Sequence, residues 1–289
     1  MKWRTGRRSA NVEDRRGRRP VGRMGGVPMV GGGMGLLLLL GISLLAGLNP
    51  LEVLTLMSGQ GGGPATYEQV EVDPAQAETA EFVSVVLADT EDVWHALFAE
   101  MGRQYREPTL VLFSDGVESA CGFADAAVGP FYCPADQQVY LDLTFFDELN
   151  RRFGAPGDFA QAYVIAHEIG HHVQHQLGAM DRVQSARGRQ TQAAANEKSV
   201  RLELQADFLA GVWAHHAQRT RAILEPGDIE EALGAASAVG DDTLQRRAQG
   251  RVVPDAFTHG TAEQRMRWFR KGFETGDVAQ GDTFAVPEP

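Results

Sequence analysis

Hydrophobic and polar positions alternate differently in different parts of this chain. Residues 27–51 carry no charge, and 34–48 (MGLLLLLGISLLAGL) are almost wholly apolar. Within 90–102, apolar residues at 93, 94, 97, 98 and 101 form a helical stripe. Residues 109–113 (TLVLF) predict a buried strand, and alternation in 139–143 (VYLDL) predicts a strand exposed on one face. A short helix is expected over 144–153. Asp158, after Pro156-Gly157, is placed to cap a helix running to about Leu177, with Gly178 as its stop. After a polar stretch over 181–192, a second long helix is expected over 193–218. Asp228 and Glu231 have capping-box spacing for a third helix through Val239. Thr261 and Gln264 have the same spacing for a last one, ending before Gly276. Strands come early and helices alone come late. That order predicts an α+β fold with a small sheet and a mainly helical C-terminal part.

Charge divides the chain further. It has 289 residues, with 27 Lys+Arg against 38 Asp+Glu and a net charge of −11. Residues 1–51 hold nine of the basic residues and only two acids, Glu13 and Asp14. Spanning ~30 Å of hydrocarbon takes roughly 20 apolar residues, and 27–51 meets that length. The expectation is a basic cytoplasmic head (1–26), a single transmembrane helix (27–51), a Gly/Pro/acid-rich linker (52–79) and one domain (80–289). The basic flank would stay inside and the acidic body would cross to the periplasm or cell surface. A cleaved signal peptide is the rival reading, but a cut after Ala46 would leave the large Leu44 at the −3 position. The acidic body argues against a nucleic-acid partner. Cys121 and Cys133 are the only cysteines. Outside the cytoplasm they are expected to form a disulfide.

The segment with the clearest chemistry is His167-Glu168-Ile169-Gly170-His171, an HExxH motif on a predicted helix. Four residues are ~6 Å of rise and just over one turn, so both imidazoles share a face and reach one metal ion. Glu168 lies one step round the helix, where its carboxylate can hold a water. Zn2+ suits two neutral nitrogens and one oxygen with a position left open. His172 points away from His171, and His175 lies ~12 Å along the axis from His167, too far to share a zinc ion with it. Gln174 and Leu177 stand where HExxHxxGxxH would need Gly and His. The third ligand is expected to be Glu203, in Glu203-Leu204-Gln205-Ala206-Asp207 on the next helix, with Glu197 as its rival. Asp207, one turn on, is placed to accept a hydrogen bond from a zinc-bound histidine.

HEIGH followed by ELQAD resembles the gluzincin arrangement of zinc peptidases, HExxH plus ExxxD. More narrowly, the chain resembles the bacterial putative neutral zinc metallopeptidase family. The matching stretches are CGFADAAVGPFYCPADQQVYLDLTFF (121–146), YVIAHEIGHHVQ (163–174), SVRLELQADFLAGVWAHH (199–216) and FTHGTAEQRMRWFRKGF (257–273). The resemblance implies a zincin-like domain and a membrane-anchored peptidase acting on a peptide or protein substrate. Glu168 would be its general base. It also implies an oxyanion donor, with His259 first, then Arg265 and Tyr140 as substrate-binding candidates. The strand over 139–143 would be an edge that binds the substrate backbone. The alternative is a non-catalytic zinc-binding assembly or scaffold protein of the cell envelope.

Overall fold

The apolar run Thr109–Phe113 is a strand at the centre of a four-stranded sheet in the computed structural model. The structure describes residues 1–21, 66–69, 71–184 and 191–289. In chain order the strands are β1 (Val12–Asp14), β2 (Arg18–Val21), β3 (Thr66–Gln69), β4 (Thr109–Phe113), β5 (Gly116–Ser119), β6 (Gly122–Asp125), β7 (Phe131–Cys133) and β8 (Gln138–Asp142). The helices are α1 (Ala77–Glu100), α2 (Thr144–Arg151), α3 (Asp158–Leu177), α4 (Ala179–Gln184), α5 (Gln192–Arg221), α6 (Asp228–Ala238), α7 (Asp241–Gln249) and α8 (Ala262–Thr275). The sheet order is β1-β4-β8-β7. β1, β4 and β8 run parallel, and β7 lies antiparallel to β8 at one edge.

Successive strand residues point to opposite faces of a sheet. Leu110, Leu112, Val139, Leu141 and Tyr132 join the main core, which includes the buried faces of α1, α3, α5 and α8. Val111, Phe113, Cys133 and Tyr140 join a second cluster with Val117 of the β5–β6 hairpin. The hairpin therefore covers the side of β8 that its alternation assigned to solvent. The disulfide expected between Cys121 and Cys133 is formed, and it ties this hairpin to β7.

The α+β architecture agrees with the expectation, but the membrane-spanning element placed before it does not. A single crossing by 27–51 would put residues 1–21 and the body on opposite sides of a bilayer. Instead β1 pairs with β4, Met1 and Trp3 are buried in the main core, and Val21 pairs with Thr66. The expected basic head is thus part of the same folded unit as the body. Arg16 is buried and hydrogen-bonds Asp14 and Gln76. Among the described residues no helix is long and apolar enough to cross a membrane. Residues 27–51 lie outside those described, as does most of the expected linker. Within the expected linker, 66–69 is strand β3, and its last residues, 77–79, open α1, which begins at Ala77 rather than near 90.

Most helix boundaries follow the sequence signals. Thr261 and Gln264 form a capping box, and Gly178 ends α3 in the left-handed conformation. Two caps differ. Gly157 and Gly227 hold the cap positions of α3 and α6, because the neighbouring acids are engaged elsewhere. Asp158 and Asp228 both receive the Met1 amino group, and Glu231 accepts the Phe159 N–H. Helix α7 has few apolar residues, so no stripe announced it.

Candidate metal centre

Helix α3 is buried along most of its length, and α5 packs along it. The two backbones nearly touch at Gly170. A Cβ there would lie 2.9 Å from the Ala206 carbonyl oxygen and 3.2 Å from its Cα. This approach carries Glu203 to the two histidines. The His167 and His171 ring centroids are 4.8 Å apart. Glu203 carboxylate oxygens lie 3.1 Å from His167 Nε2 and 3.5 Å from His171 Nε2. One donor atom from each of the three residues falls within 4.8 Å of the others.

The far side of each ring has its own partner. His167 Nδ1 donates to Asp207 Oδ1 at 2.8 Å, and His171 Nδ1 donates to Gln174 Oε1 at 2.9 Å. With both protons on Nδ1, both Nε2 lone pairs face the Glu203 carboxylate. Three electron-pair donors then converge with no proton among them, which fits a cation of borderline softness. The electrostatics draw positive charge, whether a proton or a metal ion, to the same place. Burial would lower the His167 pKa, yet Asp207 and Glu203 raise it to about 10. Burial would raise Asp207, yet the Arg265 and His167 charges hold it at about 2. Glu203 is likewise held well below the carboxylate range by the histidines despite burial. The cleft therefore favours positive charge.

Glu168 is 8% exposed, and its carboxylate has no hydrogen-bond partner among the described residues. It is available to a water or substrate. His259 has a half-exposed side chain whose Nδ1 lies 3.3 Å from Asp241 Oδ1. Its ionisation and that of Glu203 influence each other. Burial would lower the His259 pKa, but the hydrogen bond to Asp241 and the Glu203 charge raise it. Asp241 also fixes the backbone here. It accepts the N–H groups of Thr258, His259 and Gly260 at 2.7, 2.6 and 3.0 Å.

Two expected substrate contacts do not reach the cleft. Arg265 is 4% exposed, and its guanidinium is engaged with Asp207 and Tyr163. Asp207 thus stands between Arg265 and His167. Tyr140 lies between Val139 and Leu141, so it points to the sheet face away from α3. There it stacks on Phe131 at 4.8 Å and donates to Asp136. The edge expected at 139–143 is also displaced. β8 is paired on both sides, and the edge strand is β7. Tyr132 of β7 hydrogen-bonds His175 and His172, fastening this edge to α3. The rival ligand Glu197 is exposed and pairs with Arg201, four residues along α5.

The sequence reading did not give Tyr163 or Gln174 a role. Tyr163, one turn before His167, donates to Asp207. Its sequence signal is a polar-tipped residue at i−4 on the ligand face.

Comparison with known proteins bears on this geometry. The family described as "Putative neutral zinc metallopeptidase" matches residues 1–284. The chain belongs to this family. The family's description implies zinc, and the donors that converge at His167, His171 and Glu203 fit that metal. The match includes residues 1–21, in keeping with their place in the fold. "Uncharacterized protein YpfJ" of Escherichia coli (strain K12) is 49% identical over 287 residues, covering 98% of this chain and 99% of the relative. "Uncharacterized protein Rv2575" of Mycobacterium tuberculosis is 43% identical over 222 residues, covering 73% and 74%. No solved structure matches the chain.

Proposed function

We propose that this zinc metallopeptidase family member hydrolyses peptide bonds by the gluzincin mechanism. His167, His171 and Glu203 would hold the zinc ion. When bound, zinc supplies a Lewis acid and lowers the pKa of a coordinated water. Glu168 takes the proton of the attacking water and delivers it to the leaving amine. Asp207, itself held by Arg265 and Tyr163, orients His167. His259, held in place by Asp241, donates to the oxyanion as the carbonyl becomes tetrahedral. The unpaired edge of β7 offers backbone groups to an extended peptide. The observation that carries this reading is the convergence of the three donors next to an untethered Glu168.

The test is Glu168→Gln. The variant should retain zinc and cleave an unfolded protein substrate about 10²–10⁴-fold more slowly. Equal cleavage by parent and variant would overturn the peptidase reading and favour a non-catalytic zinc-binding scaffold.

The Cys121–Cys133 disulfide supports an oxidising compartment, so we also propose that the domain works outside the cytoplasm. Alkylation of both thiols in intact cells, before any oxidation on lysis, would overturn that placement.

A further inference from the structure

The two histidines of the metal centre are held from behind in different ways. His167 is backed by a charged residue, Asp207, whose charge is matched by Arg265. His171 is backed by Gln174, a neutral residue that is 0% exposed. A buried amide needs its hydrogen bonds met, and which way it faces decides what it can do. At Gln174 the direction is fixed. Its NH2 group donates to the Leu202 carbonyl at 2.7 Å and to Gln205 Oε1 at 3.1 Å. Gln205 is fixed in turn, because its own NH2 group donates to the Gly281 carbonyl at 2.8 Å. Backbone carbonyls only accept, so the chain runs one way. Gly281 orders Gln205, Gln205 and Leu202 order Gln174, and Gln174 can only accept from His171 Nδ1.

From this geometry we infer that Gln174 is a positioning residue of the metal centre. It locks His171 in the Nδ1–H tautomer and presents the Nε2 lone pair to the metal. Gln205 relays that constraint from the segment around Gly281. The inference rests on the reading of His171 as a metal ligand. It also assigns a purpose to the position where HExxHxxGxxH proteins carry glycine: here the side chain at 174 holds a ligand rather than clearing a turn.

The experiment uses the full chain and zinc alone. Chelator competition measures zinc affinity in the parent, Gln174→Leu and Gln174→Glu, with the folded fraction of each set by circular dichroism. Gln174→Leu removes the acceptor and should weaken zinc binding about 10–100-fold. Gln174→Glu keeps an acceptor toward His171 but sets its second oxygen against the Leu202 carbonyl and Gln205 Oε1, so it should recover part, not all, of the affinity lost in Gln174→Leu. Parental affinity in a folded Gln174→Leu overturns the inference, as does an equal loss in both variants. Nitrogen-15 NMR of the zinc-loaded parent tests the same point without relying on a variant. His171 should carry its proton on Nδ1, and a proton on Nε2 overturns the inference. If the parent itself binds no zinc, the reading of the site fails instead.

Discussion

Arg265 meets Asp207 side-on, with Nε 2.8 Å from Oδ2 and an Nη nitrogen 2.9 Å from Oδ1. Both residues are buried, and Asp207 also accepts from His167 and Tyr163. The pair joins α5 to α8 and gives the metal centre its back wall. Two-point contact fixes the carboxylate plane, and with it the plane of the His167 ring. Removing one partner of a buried ion pair costs about 3–5 kcal/mol, because the other charge is stranded. Arg265→Met should therefore lower the unfolding free energy by about that amount in urea denaturation. A loss below about 1 kcal/mol, the range of exposed pairs, would remove Arg265 from this role.

Asp207→Asn separates orientation from charge. The amide oxygen still accepts from His167, but Arg265 loses its counter-charge. Zinc affinity should fall by about 10–100-fold. Isothermal titration with zinc would detect the change, and parental affinity would show that His167 needs no carboxylate behind it.

Glu203→Ala should remove the only ligand that α5 contributes. Purified under identical conditions and dialysed, the variant should retain little zinc by elemental analysis. A full complement of metal would discard Glu203 as the third ligand.

Gly170→Ala probes the distance between α3 and α5. The added methyl would lie 2.9 Å from a backbone oxygen that cannot swing aside. Overpacking of this kind costs about 1–3 kcal/mol. It also moves Glu203 away from both histidines, so thermal stability and zinc affinity should fall together. A variant that lost stability while binding zinc normally would show that the helices adjust without moving the ligands.

Asp241→Asn carries a pH signature. Burial would raise the Asp241 pKa, but the hydrogen bonds from His259 and the local backbone lower it below its ordinary value. An acid whose folded pKa is depressed stabilises the fold in full above its unfolded value, roughly 3.9. The contribution is lost as pH falls through the lower folded value. The variant should be less stable than the parent at pH 7, by about 1–3 kcal/mol for a charged hydrogen-bond acceptor. The gap should close in acid. Unfolding curves at pH 7 and pH 3 with an unchanged gap would assign the effect to packing instead of charge.

What the sequence made legible was local. His167, Glu168 and His171 lie within one turn, and Glu203 and Asp207 repeat that spacing on the next helix, so ligand geometry follows from the 3.6-residue period. What it did not reveal depends on contacts between distant segments. Arg265 resembles a surface base until α8 is seen against α5. Tyr140 was assigned to the cleft because nothing in VYLDL says which sheet face meets α3. Gln174 was noted only as a departure from another motif. The misreading of residues 1–21 has the same origin. A basic composition suits a solvated flank, and the partner of Val12 is Leu110, far along the chain.

The pairing of Val21 with Thr66 has a topological consequence. β2 ends and β3 begins at this pair, so two positions far apart in the sequence are held side by side. In general, closing a connection between two paired positions costs entropy that rises only with the logarithm of its length, about 0.6 kcal/mol per doubling. A change in the number of residues between Val21 and Thr66 therefore alters the cost of holding this pair together only slightly. In this architecture the residues between Val21 and Thr66 interrupt a strand pair instead of extending the chain at one end.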